Sequence, residues 1–199
     1  MKEIHLKNKS LELTFNAENG ALCGVKIGSW NVFDRPELGL SFRMLLPTKD
    51  RRNNPVYGGE QKLSGYKLED GGRKIVFTWD RLISRWGGEH DITVTASVTL
   101  GEENAVFEME IDNRSDGVVE DVYYPYFGDV TAPDDSAWLR AFAFNYSTAY
   151  AYHMRPDYEN HKGYYGSDYP VQYFAQTPTN NFVLLMGEKK GLYCEAIND

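Results

Sequence analysis

The sequence contains few cysteines and histidines, the residues that form disulfides and bind metals, and it has no long apolar run of the kind that crosses a membrane. It has two cysteines, Cys23 and Cys194, among 199 residues, together with four histidines. Two cysteines are too few for a disulfide framework, so we expect two buried free thiols in a reducing compartment. No apolar run approaches the roughly 20 residues that a membrane-spanning helix needs. The N-terminus has no apolar segment of the signal-peptide type, which predicts a cytoplasmic protein if this N-terminus is native.

Positive charge is scarce as well. Lysine and arginine number 21 against 29 aspartates and glutamates, which gives a formal net charge of −8. Nucleic acids and anionic membranes attract clustered cations, so we expect neither as a partner. Hydrophobic residues make up 42% of the chain and charged residues 25%, a composition typical of a folded soluble protein. A chain of this length buries about 70% of its unfolded surface, and we expect one domain over residues 1–199.

Alternation of apolar and polar residues dominates the chain and predicts strands with one face in the core. It is clearest in two runs, 92–100 and 105–111, which the turn-like Gly-Glu-Glu-Asn at 101–104 joins into a hairpin. No segment carries an apolar stripe of helical period over three turns. Ten strand signals with short connections favour an all-β fold, a large and mostly antiparallel β-sandwich or a barrel. The other signals lie at 11–15, 21–27, 73–80, 118–124, 137–145, 171–176, 182–186 and 191–196.

Two long stretches interrupt this pattern. Residues 47–61 are rich in proline, glycine and charge, and residues 146–170 contain seven tyrosines. Long irregular loops in a compact domain are usually functional, and we expect both to be ordered, packed on the sandwich or on a missing partner. The strand signal at 191–196 is followed by neither a closing turn nor a polar tail. We therefore expect a sandwich truncated at its C-terminal end, which forms the N-terminal part of a longer chain.

The common catalytic signatures are absent from the sequence, which has no nucleophile elbow, zinc-protease motif or phosphate-binding glycine loop. His153 and His161 fall in the tyrosine-rich stretch. A metal site there would also need carboxylate ligands, and histidines in a loop are more commonly side chains on a solvent-exposed surface. Glu89-His90-Asp91 is interpreted either as an acid–base pair or as a loop that leads into the next strand. We predict no catalytic residue, no metal site and no cofactor in this chain.

Aromatic residues are abundant, since 4 tryptophans, 14 tyrosines and 10 phenylalanines make up 14% of the chain. Sugar rings pack their C–H faces on tryptophan and tyrosine, while their hydroxyls bind polar side chains. Trp86 lies in a glycine-flanked segment, Ser-Arg-Trp-Gly-Gly-Glu-His, and is a candidate sugar platform. A second candidate patch for carbohydrate consists of Tyr164, Tyr165, Tyr169 and Gln172, of which the last three are the predicted contacts. The alternatives are a core position for Trp86 and contact between the tyrosine-rich loop and a following domain.

The other three tryptophans have the same two possible settings. Trp30, in Gly-Ser-Trp-Asn, has flanking residues similar to those of Trp86, so the same two alternatives apply to it, an exposed indole or a core position. Trp79 and Trp138 lie inside predicted strands, which favours burial in the core.

Two series of motifs point to a family. Residues 105–116, Ala-Val-Phe-Glu-Met-Glu-Ile-Asp-Asn-Arg-Ser-Asp, resemble the hairpin of galactose-mutarotase-like supersandwiches, in which a strand leads into Asn-x-Ser. The more specific series is Val-Tyr-Tyr-Pro-Tyr-Phe-Gly at 122–128, Tyr-Pro-Val-Gln-Tyr-Phe-Ala at 169–175, Gly-Leu-Tyr at 191–193 and Asn-Asp at 198–199. It resembles the N-terminal β-sandwich of a group of uncharacterised bacterial glycoside-hydrolase-like proteins. In that group a (β/α)-barrel follows the sandwich and carries the catalytic carboxylates.

The resemblance implies a galactose-mutarotase-like supersandwich that supports and positions substrate for a glycoside hydrolase barrel outside this chain. Its partners would be an oligosaccharide or polysaccharide and a C-terminal catalytic domain in cis, and the loop at 164–172 would form the rim of the active site. Aldose mutarotases use a His/Glu acid–base pair, to which no histidine of this sequence aligns. The alternatives are a non-catalytic carbohydrate-binding module, a free-standing aldose epimerase and an interaction domain without affinity for sugar.

Overall fold

The computed structural model describes residues 2–33, 35–126, 131, 133–134, 139–145, 148–154 and 182–197. Within these residues the chain is an all-β sandwich of antiparallel sheets, so the predicted fold class is confirmed. Helical structure there is confined to three single-turn 3₁₀ helices, Pro36–Leu38, Gly58–Glu60 and Asp70–Gly72. None of these turns has the length or the hydropathy that crossing a membrane requires.

The described residues contain fifteen strands. They belong to two compact units, one of Met1–Ser29 and Arg35–Gly128, the other of Trp30–Asp34 and Asp129–Asp199. The strands are β1 (Glu3–Lys7), β2 (Leu11–Asn16), β3 (Leu22–Ile27), β4 (Trp30–Asn31), β5 (Ser41–Leu45), β6 (Pro55–Tyr57), β7 (Gly65–Glu69), β8 (Lys74–Ser84), β9 (Gly88–Leu100), β10 (Ala105–Asn113), β11 (Glu120–Tyr126), β12 (Leu139–Asn145), β13 (Thr148–Met154), β14 (Phe182–Met186) and β15 (Gly191–Glu195).

Three sets of antiparallel strands build the first unit. β1, β2 and β3 form a meander, in which Ile4 lies opposite Phe15 and Leu13 lies opposite Val25. A second sheet has the strand order β10-β9-β8-β7, and a third has the order β11-β5-β6. Buried residues alternate with more exposed ones along β1, β8 and β9, so the first two of these sheets each have an apolar side to bury.

The hairpin predicted around 101–104 is present as β9 and β10. Leu100 lies opposite Ala105, and the N–H of Gly101 donates to the carbonyl of Asn104 at 3.0 Å, which closes the loop. The apolar residues of β9 that the alternation assigns to the core are all buried: Ile92, Val94, Ala96, Val98 and Leu100.

In the first unit, aromatic side chains from different sheets contact one another. The rings of Phe15 and Phe77 have centroids 5.1 Å apart. Phe42 meets Trp79 edge to face, also at 5.1 Å. Trp79 is fully buried, and its indole N–H donates to the carbonyl of Asn19 at 3.0 Å. The core position predicted for Trp79 is therefore confirmed, and the buried indole N–H has the partner it needs.

The segment 47–61 is more regular than its composition suggests. It contains β6 and a 3₁₀ turn, and its tip is a tight turn in which Thr48 and Arg51 exchange backbone hydrogen bonds of 2.9 and 3.2 Å. The prediction of one irregular loop is wrong here because β6 has three residues, too few to show an alternation. The second predicted loop, 146–170, likewise contains β13, and its residues 155–170 lie outside the described residues.

Four strands of the second unit form an antiparallel sheet in the order β13-β12-β14-β15. The turn between β14 and β15 is closed by the N–H of Gly187, which donates to the carbonyl of Lys190 at 2.9 Å. The carboxylate of Asp134 accepts a hydrogen bond from the backbone N–H of Lys189 at 2.7 Å and so stabilises the same turn.

Candidate functional site

Trp86 lies at the tip of the connection between β8 and β9. β8 ends at Ser84 and β9 begins at Gly88, so Arg85, Trp86 and Gly87 form the turn. Gly88 has a φ of +74°, a conformation that residues with side chains rarely adopt. Trp86 is 47% exposed, which excludes the core position that was its alternative.

A buried polar network lies beneath this turn. Asn54 is fully buried, and its side-chain amide donates to the carbonyl of Leu46 at 2.9 Å and to Ser84 Oγ at 3.0 Å. The side-chain oxygen of Asn54 accepts the backbone N–H of Trp86 at 2.9 Å. Ser84 Oγ also accepts the N–H of Gly87 at 2.9 Å. Hydrogen bonds to buried side chains fix the backbone that donates them, and here that backbone carries Trp86.

Ser84 and His90 lie at the spacing of a nucleophile and its base, with 2.8 Å between Oγ and Nε2. Ser84 Oγ already accepts two N–H donors, so its own proton is directed to Nε2 of His90, which must be unprotonated. Burial lowers the pKa of His90 and favours that neutral form. Ser84 is buried and both lone pairs of its oxygen are engaged, so it lacks the access and the electrons for attack on a substrate. The pair holds the turn in place.

Glu89, His90 and Asp91 belong to β9, so the loop predicted for them is wrong, and strand alternation separates their side chains. The carboxylate of Glu89 pairs with Arg81 at 2.9 Å, and that of Asp91 pairs with Arg114 at 3.5 Å. His90 points to the opposite face, toward the buried network. The acid–base pair considered for this segment is therefore not formed.

Two arginines approach the ring of Trp86. The guanidinium carbon of Arg51 lies 4.2 Å from the ring centroid, and that of Arg85 lies 5.7 Å from it. The Arg85 carbon is also 5.4 Å from the ring centroid of Tyr57, and its guanidinium pairs with Glu60 at 3.5 Å. These are distances of cation–π contacts. Sequence reasoning missed Arg51, because a charged residue in a polar turn has no neighbours that single it out.

The remaining predicted carbohydrate contacts, Tyr165, Tyr169 and Gln172, lie outside the described residues. The same holds for Trp138. Of the residues that the sequence assigns to sugar binding, the structure therefore places Trp86.

Trp30 does not share the exposed setting of Trp86. It is buried, and its indole N–H donates to Thr131 Oγ1 at 2.9 Å. Of the two alternatives for Trp30 the structure shows the buried one, and its partner lies 101 residues away in the chain, where no local pattern indicates it.

Cys23 and Cys194 are free thiols, each half-buried, and burial raises the pKa of both. A raised pKa keeps a thiol protonated and unreactive. The described residues contain no group of three or more His, Cys, Asp or Glu side chains placed to hold a metal ion. His161, one of the two histidines considered as ligands, lies outside them.

No family model, curated protein or solved structure matches the chain. The assignment of a function therefore depends on the residues around Trp86 and on the resemblance of the sequence motifs.

Proposed function

We propose that the chain is a carbohydrate-binding β-sandwich, which positions an oligosaccharide or polysaccharide for a glycoside hydrolase domain in cis. The observation that carries this proposal is the exposed indole of Trp86, held on a turn whose backbone donates hydrogen bonds to the buried side chains of Asn54 and Ser84. The resemblance of the sequence to galactose-mutarotase-like supersandwiches of glycoside-hydrolase-like proteins supports the same proposal.

The Trp86 turn has the properties of a sugar platform. An indole offers a flat apolar surface, against which the C–H face of a sugar ring packs. Ordering a side chain on binding costs about 0.5–1.5 kcal/mol, so a platform that is already held binds more tightly. The backbone of Trp86 is held by the buried Asn54. Donors for sugar hydroxyls lie beside the indole on Arg51 and Arg85.

Binding, and not bond cleavage, is the role that we assign to this surface. The hydroxyl of Ser84 lies at hydrogen-bond distance from a base, His90, but its lone pairs are already engaged by Asn54 and Gly87. The catalytic carboxylates would belong to the barrel that the resemblance implies. A surface that holds a saccharide beside such a barrel raises the local concentration of substrate there.

Titration calorimetry of the full chain against a panel of neutral and acidic oligosaccharides tests the proposal. We expect Trp86→Ala to weaken binding of the preferred saccharide by about tenfold or more. The melting temperature should change by less than about 2 °C, since an exposed side chain is removed. Tyr66→Ala is the matched control, because Tyr66 is 38% exposed on β7 and should bind saccharide like the wild type.

Three results would overturn this proposal. A panel without measurable binding excludes affinity for the saccharides tried, and accelerated interconversion of aldose anomers would favour the epimerase. A Trp86→Ala variant that binds like the wild type would remove the role of the platform. Tyr165→Ala, Tyr169→Ala and Gln172→Ala then show whether the predicted rim binds the saccharide instead.

A further inference from the structure

The guanidinium of Arg51 lacks the acidic partner that its neighbour has. Arg52 pairs with Glu120 at 2.9 Å, whereas in the described part of the chain no carboxylate lies within salt-bridge distance of Arg51. Arg51 instead stacks on Trp86, with 4.2 Å from the guanidinium carbon to the ring centroid. An arginine that rests on an aromatic face keeps the N–H donors of its edge available to a ligand.

The backbone of Arg51 is held in a tight turn. The N–H of Arg51 donates to the carbonyl of Thr48 at 3.2 Å, and the backbone N–H and hydroxyl of Thr48 donate to the carbonyl of Arg51 at 2.9 and 3.3 Å. Leu46 and Asn54 bracket this turn and bond to each other, and Asn54 also bonds to Trp86. One buried amide thus ties together the two turns, so the fold sets the spacing of the arginine and the indole.

Charge and exposed surface around the stack suit an anionic ligand with an apolar face. The guanidinium of Arg85 adds a second positive charge, with its carbon 5.7 Å from the centroid of the Trp86 ring. This guanidinium also forms a salt bridge with the carboxylate of Glu60 at 3.5 Å. The chain carries a net charge of −8, so an arginine that pairs with no described carboxylate is a local exception, and its charge attracts anions. Trp86 remains half-exposed with Arg51 in place, which leaves apolar surface for a sugar ring.

We propose that Arg51 and Trp86 bind a uronate residue of an acidic saccharide. The open surface of the indole receives the C–H face of the sugar ring. The edge N–H groups of Arg51 donate to the carboxylate, a pairing in which two planar groups form parallel hydrogen bonds. This inference rests on the proposed function and adds to it the charge of the saccharide.

Calorimetric titration of the full chain with matched acidic and neutral trisaccharides tests the inference. The pairs are α-1,4-linked trigalacturonate with α-1,4-linked galactotriose, and β-1,4-linked triglucuronate with cellotriose. We expect an acidic member to bind about tenfold or more tightly than its neutral partner, since a hydrogen bond to a charged group contributes that much. The preference should shrink at about 1 M salt, where the Debye length falls to roughly 3 Å.

Two variants assign the preference to Arg51. Arg51→Gln removes the charge and should lower the affinity for the acidic trisaccharide to that for the neutral one. Arg73→Gln is the control, because it removes an arginine that pairs with Asp70 at 2.7 Å on another turn, and it should bind like the wild type.

The outcomes separate this inference from the proposed function. Equal affinity for the acidic and neutral members, or an Arg51→Gln variant with the wild-type preference, overturns the assignment of a uronate. The proposed function then stands if Trp86→Ala still weakens binding of the neutral trisaccharide. Absence of binding to every saccharide overturns both.

Discussion

The hydroxyl of Ser84 lies 2.8 Å from Nε2 of His90, and this contact closes the turn between β8 and β9 that carries Trp86. The same hydroxyl oxygen accepts the side-chain amide of Asn54 and the backbone N–H of Gly87. A buried polar group that loses its partner costs more free energy than a formed hydrogen bond contributes. The stability of the turn, and with it the geometry of the proposed binding surface, therefore depends strongly on one oxygen atom.

Replacing Ser84 with alanine removes that oxygen. The variant leaves one N–H of the fully buried Asn54 amide without its partner, so we expect the free energy of unfolding to fall by about 1–3 kcal/mol. Urea unfolding followed by circular dichroism measures the change. Ser97→Ala is the control, since its hydroxyl donates to the exposed Glu108 at 3.1 Å, and it should cost less than about 0.5 kcal/mol. Equal losses in the two variants would contradict a stabilising role for the buried network.

The half-buried His90 gives the stability of the protein a predicted dependence on pH. Burial lowers the pKa of His90 below its ordinary 6.5, so in the window below that value the unfolded chain binds a proton that the folded chain does not. The free energy of unfolding therefore has its full value above pH 6.5 and falls as the pH drops through the window. Thermal unfolding from about pH 8 to about pH 5 measures this slope.

His90→Gln assigns the slope to one residue. The variant removes the titrating group while it keeps a side chain that can hydrogen-bond to Ser84. We expect a smaller fall in melting temperature between neutral and mildly acid pH than in the wild type. A variant that keeps the wild-type slope would assign the pH dependence to another group.

How much of the fold could be predicted from the sequence depends on how each strand is covered. β9 and β10 were predictable because one face of each carries the apolar residues and the other carries threonine or glutamate. β5 was not, since all of Ser41–Leu45 is buried and a strand covered on both faces shows no alternation. β7 was not predicted for the opposite reason, because all of its residues are exposed.

The candidate site divides in a similar way. The glycines that indicate a turn are adjacent to Trp86 in the sequence, so this part of the site could be predicted. Asn54 and Ser84, which hold that turn, are 30 residues apart, and their contact arises only when β6 and β8 are folded. Trp30 shows that local signals alone do not decide the setting, since its flanking residues are similar and yet it is buried against Thr131.

Substitution by alanine should cost much more stability at Trp79 than at Trp86. Trp79→Ala removes a fully buried indole and its hydrogen bond to Asn19, so we expect a loss of about 3–5 kcal/mol in the free energy of unfolding. Trp86→Ala removes a half-exposed side chain and should cost less than about 1 kcal/mol. Urea unfolding of both variants measures the difference. A loss for Trp86→Ala as large as that for Trp79→Ala would contradict its place on the surface.

Gly20 and Gly28 both adopt a positive φ, of +70° and +59°, but their surroundings differ. A Cβ at position 20 would lie 2.5 Å from Cζ2 of Trp79, whereas a Cβ at position 28 would meet no atom within 4 Å. Gly28→Ala therefore adds backbone strain alone, which costs roughly 1–2 kcal/mol.

Gly20→Ala adds to that strain the displacement of a core side chain. Trp79 is packed edge to face on Phe42 and lies 5.8 Å from Phe77, centroid to centroid, so its ring has little room to move. Overpacking of a core costs about 1–3 kcal/mol, and we expect a total loss of roughly 2–5 kcal/mol. Urea unfolding gives the two losses, and near-ultraviolet circular dichroism should change in Gly20→Ala alone, because only there is a buried indole displaced. Equal losses and unchanged spectra would mean that Trp79 shifts at no cost, and that the core around it is looser than these ring contacts imply.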